Sequence, residues 1–135
     1  MKSFDVQGIA LDVPREEAFA FIADPGYLPR WTSAFASATT RQAVLRTPRG
    51  EVRIKLEVKA SAEQGTVDWK MTFPDGNVAT AFSRIVEIDR ARCVFSFILT
   101  PPPVPLEDLE GALEAQSRTL AGELANLKRI LDHHG

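Results

Sequence analysis

Apolar and polar residues alternate strictly from Glu51 to Ser61. Val52, Ile54, Leu56, Val58 and Ala60 fall on one side, and Glu51, Arg53, Lys55, Glu57 and Lys59 on the other. That period of two predicts an antiparallel strand with one wet face. Thr66 to Phe73 repeats it, with Val67, Trp69, Met71 and Phe73 inward. A turn at Glu63-Gln64 pairs Val58 with Trp69 and Leu56 with Met71. Asp75-Gly76 is a two-residue hairpin signal that pairs Phe73 with Val78 and Trp69 with Phe82. A turn at Arg90-Ala91 pairs Val86 with Phe95 and Phe82 with Leu99. All three registers set apolar residues opposite apolar residues, and a slip of one residue would turn a face over.

The flanks read differently. Residues 3 to 13 predict a first strand with an irregularity at Gly8. Pro14 followed by Arg15-Glu16-Glu17 opens a helix, whose apolar side is Ala18, Phe19 and Ile22. Asp24-Pro25-Gly26 stops it, and Tyr27 to Trp31 forms a second short helix or turn. Pro101, Pro102, Pro103 and Pro105 end the last strand, because proline cannot sustain a ladder. From Leu106 to about His133, leucines 106, 109, 113, 120, 124, 127 and 131 make one helical stripe. Acidic residues open this helix and Lys128 and Arg129 close it, as the helix dipole favours. A helix of that length must lie across a broad apolar surface, and the inner face of the sheet supplies it.

The prediction is therefore an α+β chain in which a curved antiparallel sheet wraps a long C-terminal helix, with two short helices after the first strand. Its 135 residues suit one domain, residues 1–135, able to build a core without staples. The formal net charge of −2, without a basic run, disfavours nucleic acid as a partner. No apolar leader or spanning stretch is present, so no integral membrane association is expected. The lone Cys93 fits a reducing compartment, and the expected location is the cytoplasm. A homodimer is left open.

The order of strand, two short helices, meander, proline-rich link and long helix resembles the helix-grip superfamily. This group contains the START lipid-transfer domains, the birch-pollen allergen and the polyketide cyclase/dehydrase-like (SRPBCC) proteins. The matching segments are Pro14 to Phe19, Asp24 to Trp31, Pro74-Asp75-Gly76, Arg84-Ile85-Val86 and the closing leucine-rich helix. The resemblance spans essentially the whole chain. It implies a cavity between sheet and helix that holds small apolar or amphipathic molecules, and it implies lipid transport or aromatic cyclisation in some branches. A shared fold does not settle the job.

The candidate ligand-binding residues follow from the registers. Arg84 shares a face with Val78, Phe82, Val86 and Ile88, beside Val67 and Phe97. A guanidinium there needs a partner, so it either anchors a ligand oxygen or snorkels to the rim or an acidic helix residue. Thr80, beside Met71, either orients a ligand or bonds the backbone. Gln116, next to Ser117, interrupts the leucine stripe and either meets a ligand or covers the cavity mouth. Trp69, Met71, Phe73, Phe82, Phe95 and Phe97 form an inner wall that is core, or lining if space is left. Tyr27, Trp31 and Phe35 border the entrance by resemblance, as gate or as packing.

Enzyme signatures are thin. His133 and His134 lie at a terminus, and there is no zinc spacing, GxSxG, P-loop or GxGxxG, so neither metal nor cofactor is expected. Cys93, on the inner face opposite Ile88, fits a structural thiol, and Asp68, on the outer face opposite Ser83, a solvated position. Three functions compete: a binder or carrier of a small apolar or amphipathic molecule, a cyclase/dehydratase-type enzyme, and a protein-interaction module. The enzyme reading, in which Arg84 would stabilise an enolate, would be revived by a cavity holding a carboxylate or tyrosine hydroxyl close to Arg84.

Overall fold

A computed structural model describes residues 4–47, 50–100 and 109–134. The strands are β1 (Asp5–Leu11), β2 (Phe35–Ala38), β3 (Gln42–Thr47), β4 (Gly50–Ser61), β5 (Thr66–Thr72), β6 (Val78–Asp89) and β7 (Arg92–Leu99). Helix α1 (Arg15–Ile22), a 3-10 turn (Pro25–Tyr27) and α2 (Leu28–Trp31) lie between β1 and β2, and α3 spans Leu109–His134. The strands form one antiparallel sheet of order β1-β7-β6-β5-β4-β3-β2. The predicted architecture is thus observed, with two strands, β2 and β3, that the alternation had not marked. The proline-rich link and the predicted helix start at Leu106 lie outside the described residues. Among the described residues, no helix is long and apolar enough to cross a membrane.

Sequence pattern explains most of this. Leu120, Leu124, Leu127 and Leu131 of the stripe are buried, and close on Leu11, Val13, Trp31 and Phe95 in one core. α3 is tied to the sheet edge by polar bonds. Gln7 donates to the Ser117 carbonyl at 2.8 Å, and Ser117 Oγ donates to the buried Asp5. The Lys128 ammonium meets Asp132 at 2.7 Å and the Ala10 carbonyl at 2.9 Å. Ser117 is therefore a structural residue, not part of a ligand site.

Register β4–β5 is as the alternation predicts, Val58 opposite Trp69 and Leu56 opposite Met71. Gly65 closes their turn with φ +75° and approaches β6, where the Ile85 amide donates to its carbonyl at 2.7 Å. Arg15 of α1 clamps the same turn through the carbonyls of Ala62, Glu63 and Ile85.

Both registers of β6 differ from the expectation by one residue. Trp69 faces Ala81 and Met71 faces Ala79, where Phe82 and Thr80 were expected. The cause is the β5–β6 loop. Phe73 N donates to Asn77 O at 2.8 Å, and Gly76 N donates to Phe73 O at 2.9 Å. The loop is therefore the three residues Pro74-Asp75-Gly76, with Gly76 at φ +89°. Proline suits the first corner of an ordinary turn, and glycine takes the left-handed position after it. A two-residue type I′ loop would have forced Asp75 to positive φ as well.

At the other end the two-residue turn holds: Asp89 pairs with Arg92, and the Asp89 carboxylate accepts from Ala91 N at 2.9 Å. A bulge at Ile88 then shifts the ladder, so that Phe82 faces Ile98 and Ile85 faces Phe95. The two shifts agree, and β6 turns over as a unit. Ala79, Ala81, Ser83 and Ile85 point inward, while Val78, Phe82, Arg84, Val86 and Ile88 are exposed.

Candidate ligand cavity

Turning β6 over opens space inside. Where the expected register set Val78 against Phe73 and Phe82 against Trp69, the structure sets Ala79 against Met71 and Ala81 against Trp69. Two alanines in place of a valine and a phenylalanine leave a cavity of about 650 Å³ between sheet, α2 and α3. That is within the range of sites for small organic ligands.

The wall is largely apolar, with the rings of Trp31, Phe35, Trp69, Phe73 and Phe97 among leucines and alanines. Trp69 stacks on Phe97 with centroids 5.8 Å apart, and Trp31 of α2 lies 6.5 Å from Trp69. Phe95 braces both sides from below, edge-on to Trp31 at 6.1 Å and to Phe97 at 6.2 Å. Trp31 and Trp69 are almost fully buried, yet neither indole Nε1 has a hydrogen-bond partner among the described residues. Two orphaned donors on side chains that line one cavity are unusual, since buried polar groups are nearly always satisfied, and both nitrogens are shielded from the cavity space itself.

The rim is polar. Thr32, Ser33 and Arg46 approach from one side, and Gln116, Thr119 and Glu123 of α3 from the other. Glu123 Oε2 accepts from Ser33 N at 2.6 Å, Ser33 Oγ at 3.2 Å and Ala34 N at 3.3 Å. Arg46 Nη1 donates to the Ser33 carbonyl at 3.3 Å. Burial pushes the Glu123 carboxyl above its ordinary value, and these hydrogen bonds only partly offset the cost. Glu123 is thus a protonatable group on the cavity wall, latching α3 to the segment between α2 and β2.

Of the sequence-predicted ligand residues, Trp31, Trp69, Met71, Thr80, Phe97 and Gln116 line the cavity. The Thr80 carbonyl accepts from Thr100 Oγ1 at 2.9 Å, and its strand partner is Lys70 rather than Met71. Phe35 lines the cavity as well. Two placements, those of Arg84 and Phe82, are corrected, and Tyr27 takes the packing alternative rather than the gate. Arg84 is exposed on the outer face between Thr66 and Ser96, not inward beside Val67 and Phe97. It borders a shallow cleft with Arg15, Glu63 and Glu87, remote from the aromatic wall. Phe82 is 41% exposed on that same face. Tyr27 stacks on Phe21 at 4.5 Å beneath the Arg30 guanidinium, outside the cavity lining.

Cys93 is on the inner face as expected, but opposite Glu87 rather than Ile88, and burial raises its thiol pKa. Glu123 and Arg46 were not foreseen. Glu123 stands one position before Leu124 in the stripe and looks like an ordinary polar flank. Only the arrival of Ser33 and Ala34, about 90 residues earlier in the chain, makes it a cavity residue.

No protein-family model and no curated protein matches the sequence. Solved structures do match the shape. A START superfamily protein from Mycobacterium smegmatis aligns with TM-score 0.75 at 11% identity, over 99% of this chain and 100% of that one. The fold is the helix-grip fold. The protein XoxI from Bacillus cereus is similar at TM-score 0.70 and 14% identity, over 96% of each chain. The di-domain aromatase/cyclase (ARO/CYC) BexL, from the BE-7585A biosynthetic pathway, gives TM-score 0.67 at 15% identity. This helix-grip chain is 96% covered in that match and spans 46% of BexL.

Proposed function

We propose that this helix-grip chain, acting as a single ligand-binding domain in the cytoplasm, binds or carries a small, largely apolar molecule bearing a hydrogen-bond-accepting oxygen. The observation behind the reading is an apolar cavity of about 650 Å³ lined by Trp31 and Trp69, whose shielded indole donors have no partner among the described residues and would reach a ligand oxygen by a turn of the ring. An unmet buried donor costs about 1–3 kcal/mol, so a ligand carbonyl or ether oxygen that meets it recovers energy that a hydrocarbon cannot. The rim at Gln116, Thr119 and Glu123 suits a polar tail and an amphipathic ligand. START-like neighbours of the same fold are compatible with a carrier.

The test compares 2-acetylnaphthalene with 2-ethylnaphthalene, which differ in the carbonyl, by displacement of a fluorescent probe. The ketone is expected to bind about 3–10-fold tighter, and the preference to vanish in Trp69→Phe. Equal affinities for wild type would sink the indole role. Native mass spectrometry of protein from its own host addresses the ligand itself: a co-purifying small molecule near one per chain supports a carrier.

A second reading is favoured by one observation. Glu123 is a carboxyl of raised pKa on the cavity wall, which is what a proton-transfer step in a cyclase/dehydratase-type reaction requires. The di-domain ARO/CYC neighbours make a polyketide-like substrate the first to try. Turnover that is lost in Glu123→Gln while ligand affinity is kept would establish it. Binding without turnover of such substrates would leave the carrier.

A further inference from the structure

The reversal of β6 that opens the cavity also places apolar side chains in water. Phe4, Val6, Val78, Phe82, Val86, Ile88 and Ile98 are each 40% to 54% exposed. They are not scattered. Val6, Ile98 and Phe82 are direct neighbours across β1, β7 and β6, in one row of the ladder. Two rungs along, Ala10, Val94 and Val86 make a second row on the same face. Between them lies Gly8, Ser96 and Arg84. Arg84 is the charge in these rows, and it borders the cleft holding Glu63 and Glu87 of its own chain. The adjoining β5 bounds the patch with Thr66, Asp68, Lys70 and Thr72, and beyond it β4 exposes Glu51, Arg53, Lys55, Glu57 and Lys59, an ordinary solvated face.

An apolar face of this kind needs a cover. The seven side chains expose roughly 600 Å² between them, the upper end of what a monomer tolerates. With the flanking Ala10, Val94 and Ser96, the patch approaches the about 800 Å² per partner of a stable protein interface. Its composition selects the partner. A nucleic acid or an anionic membrane calls for a basic rim, which these rows lack. A two-fold dimer sets a patch against itself, so like charges at its centre would repel. The row Val6–Ile98–Phe82 carries no charge, and an axis on it keeps Arg84, one row away beside Glu63 and Glu87, off the two-fold. We infer that the outer face of β1-β7-β6 is a self-association surface, on which a second copy of this chain packs sheet against sheet about a two-fold axis near Ile98.

The test is sedimentation or light scattering of the intact chain at about 1 to 100 μM, a range that brackets ordinary dimer affinities. Wild type is expected at twice the 14.9 kDa chain mass. Ile98→Glu and Phe82→Glu set like charges across the axis and raise the dimer Kd by about a hundredfold or more. Because both positions are exposed, far-UV circular dichroism stays unchanged. Mixing Ile98→Glu with Ile98→Lys restores a dimer, which a folding defect would not allow. A monomeric wild type at the top of the range overturns the inference, and so does a dimer indifferent to both substitutions. A monomer that floats with neutral phosphatidylcholine vesicles would give the face to a lipid surface instead.

Discussion

Which face of β6 points inward decides both the cavity and the exposed patch, and two substitutions at neighbouring positions measure it. Ala81 is half-buried opposite Trp69 and borders the cavity. Ala81→Leu adds three carbons to that space. At about 0.8 kcal/mol per buried CH2 the gain is at most about 2.4 kcal/mol, less about 0.5–1 kcal/mol for fixing the side chain. A net gain of about 1–2 kcal/mol raises Tm by about 3–10 °C in a chain of this size. The same carbons take ligand volume, so affinity for an apolar probe falls at least about tenfold. Phe82→Ala is the counterpart. Phe82 stands on the outer face, so its loss changes stability by no more than about 0.5 kcal/mol, where an inward phenylalanine would cost about 3–5 kcal/mol. Thermal and urea unfolding at low protein concentration, with probe titration of Ala81→Leu, read all three quantities. The reasoning fails if Ala81→Leu is neutral in stability and binding while Phe82→Ala costs 3 kcal/mol or more (the about 3–5 kcal/mol range of a core truncation).

Other outcomes follow from single contacts. In Gly65→Ala a Cβ would stand 2.3 Å from the Ile85 carbonyl at φ +75°, and a loss of about 2–4 kcal/mol is expected in urea titration from strain and the weakened Ile85–Gly65 bond. Glu123 has its pKa raised in the folded chain above the ordinary 4.5, so its favourable contribution is complete below that value and is lost as pH rises through the folded pKa. Glu123→Gln should therefore flatten stability against pH across that window and raise it at neutral pH. Glu123→Ala should lose stability through the unmet amides of Ser33 and Ala34. Cys93, fully buried with a raised pKa, should react with a thiol reagent at the rate of global unfolding, and fast labelling in native buffer would contradict its burial.

How much of this was legible along the chain differs by element. In β4 one face is apolar and the other charged, so any wrong register exposes leucine and buries lysine, and the alternation suffices. In β5 and β7 the inward aromatics Trp69, Phe95 and Phe97 settle the face in the same way. The leucine stripe marks α3 as the helix to be gripped. β6 defeats this logic because both of its sides are apolar enough to bury. Val78, Phe82, Val86 and Ile88 are the more hydrophobic set, and they face water. Local hydrophobicity therefore favours the wrong side. What prevails is turn geometry at both ends, Gly76 after Pro74-Asp75 and the bulge at Ile88, each adding one residue to the count. The proline was a readable sign of the three-residue loop, whereas nothing local marks the bulge.

The sequence by itself determined the order of the elements, the faces of β4, β5 and β7, and the apolar stripe of α3. Each rests on a period that one strand or helix carries alone. Tertiary structure decided which side of β6 turns inward, hence the space behind Ala79 and Ala81, and it brought Glu123 to Ser33. Those outcomes depend on summed register offsets and on contacts between distant segments, which a local pattern of hydrophobicity does not encode.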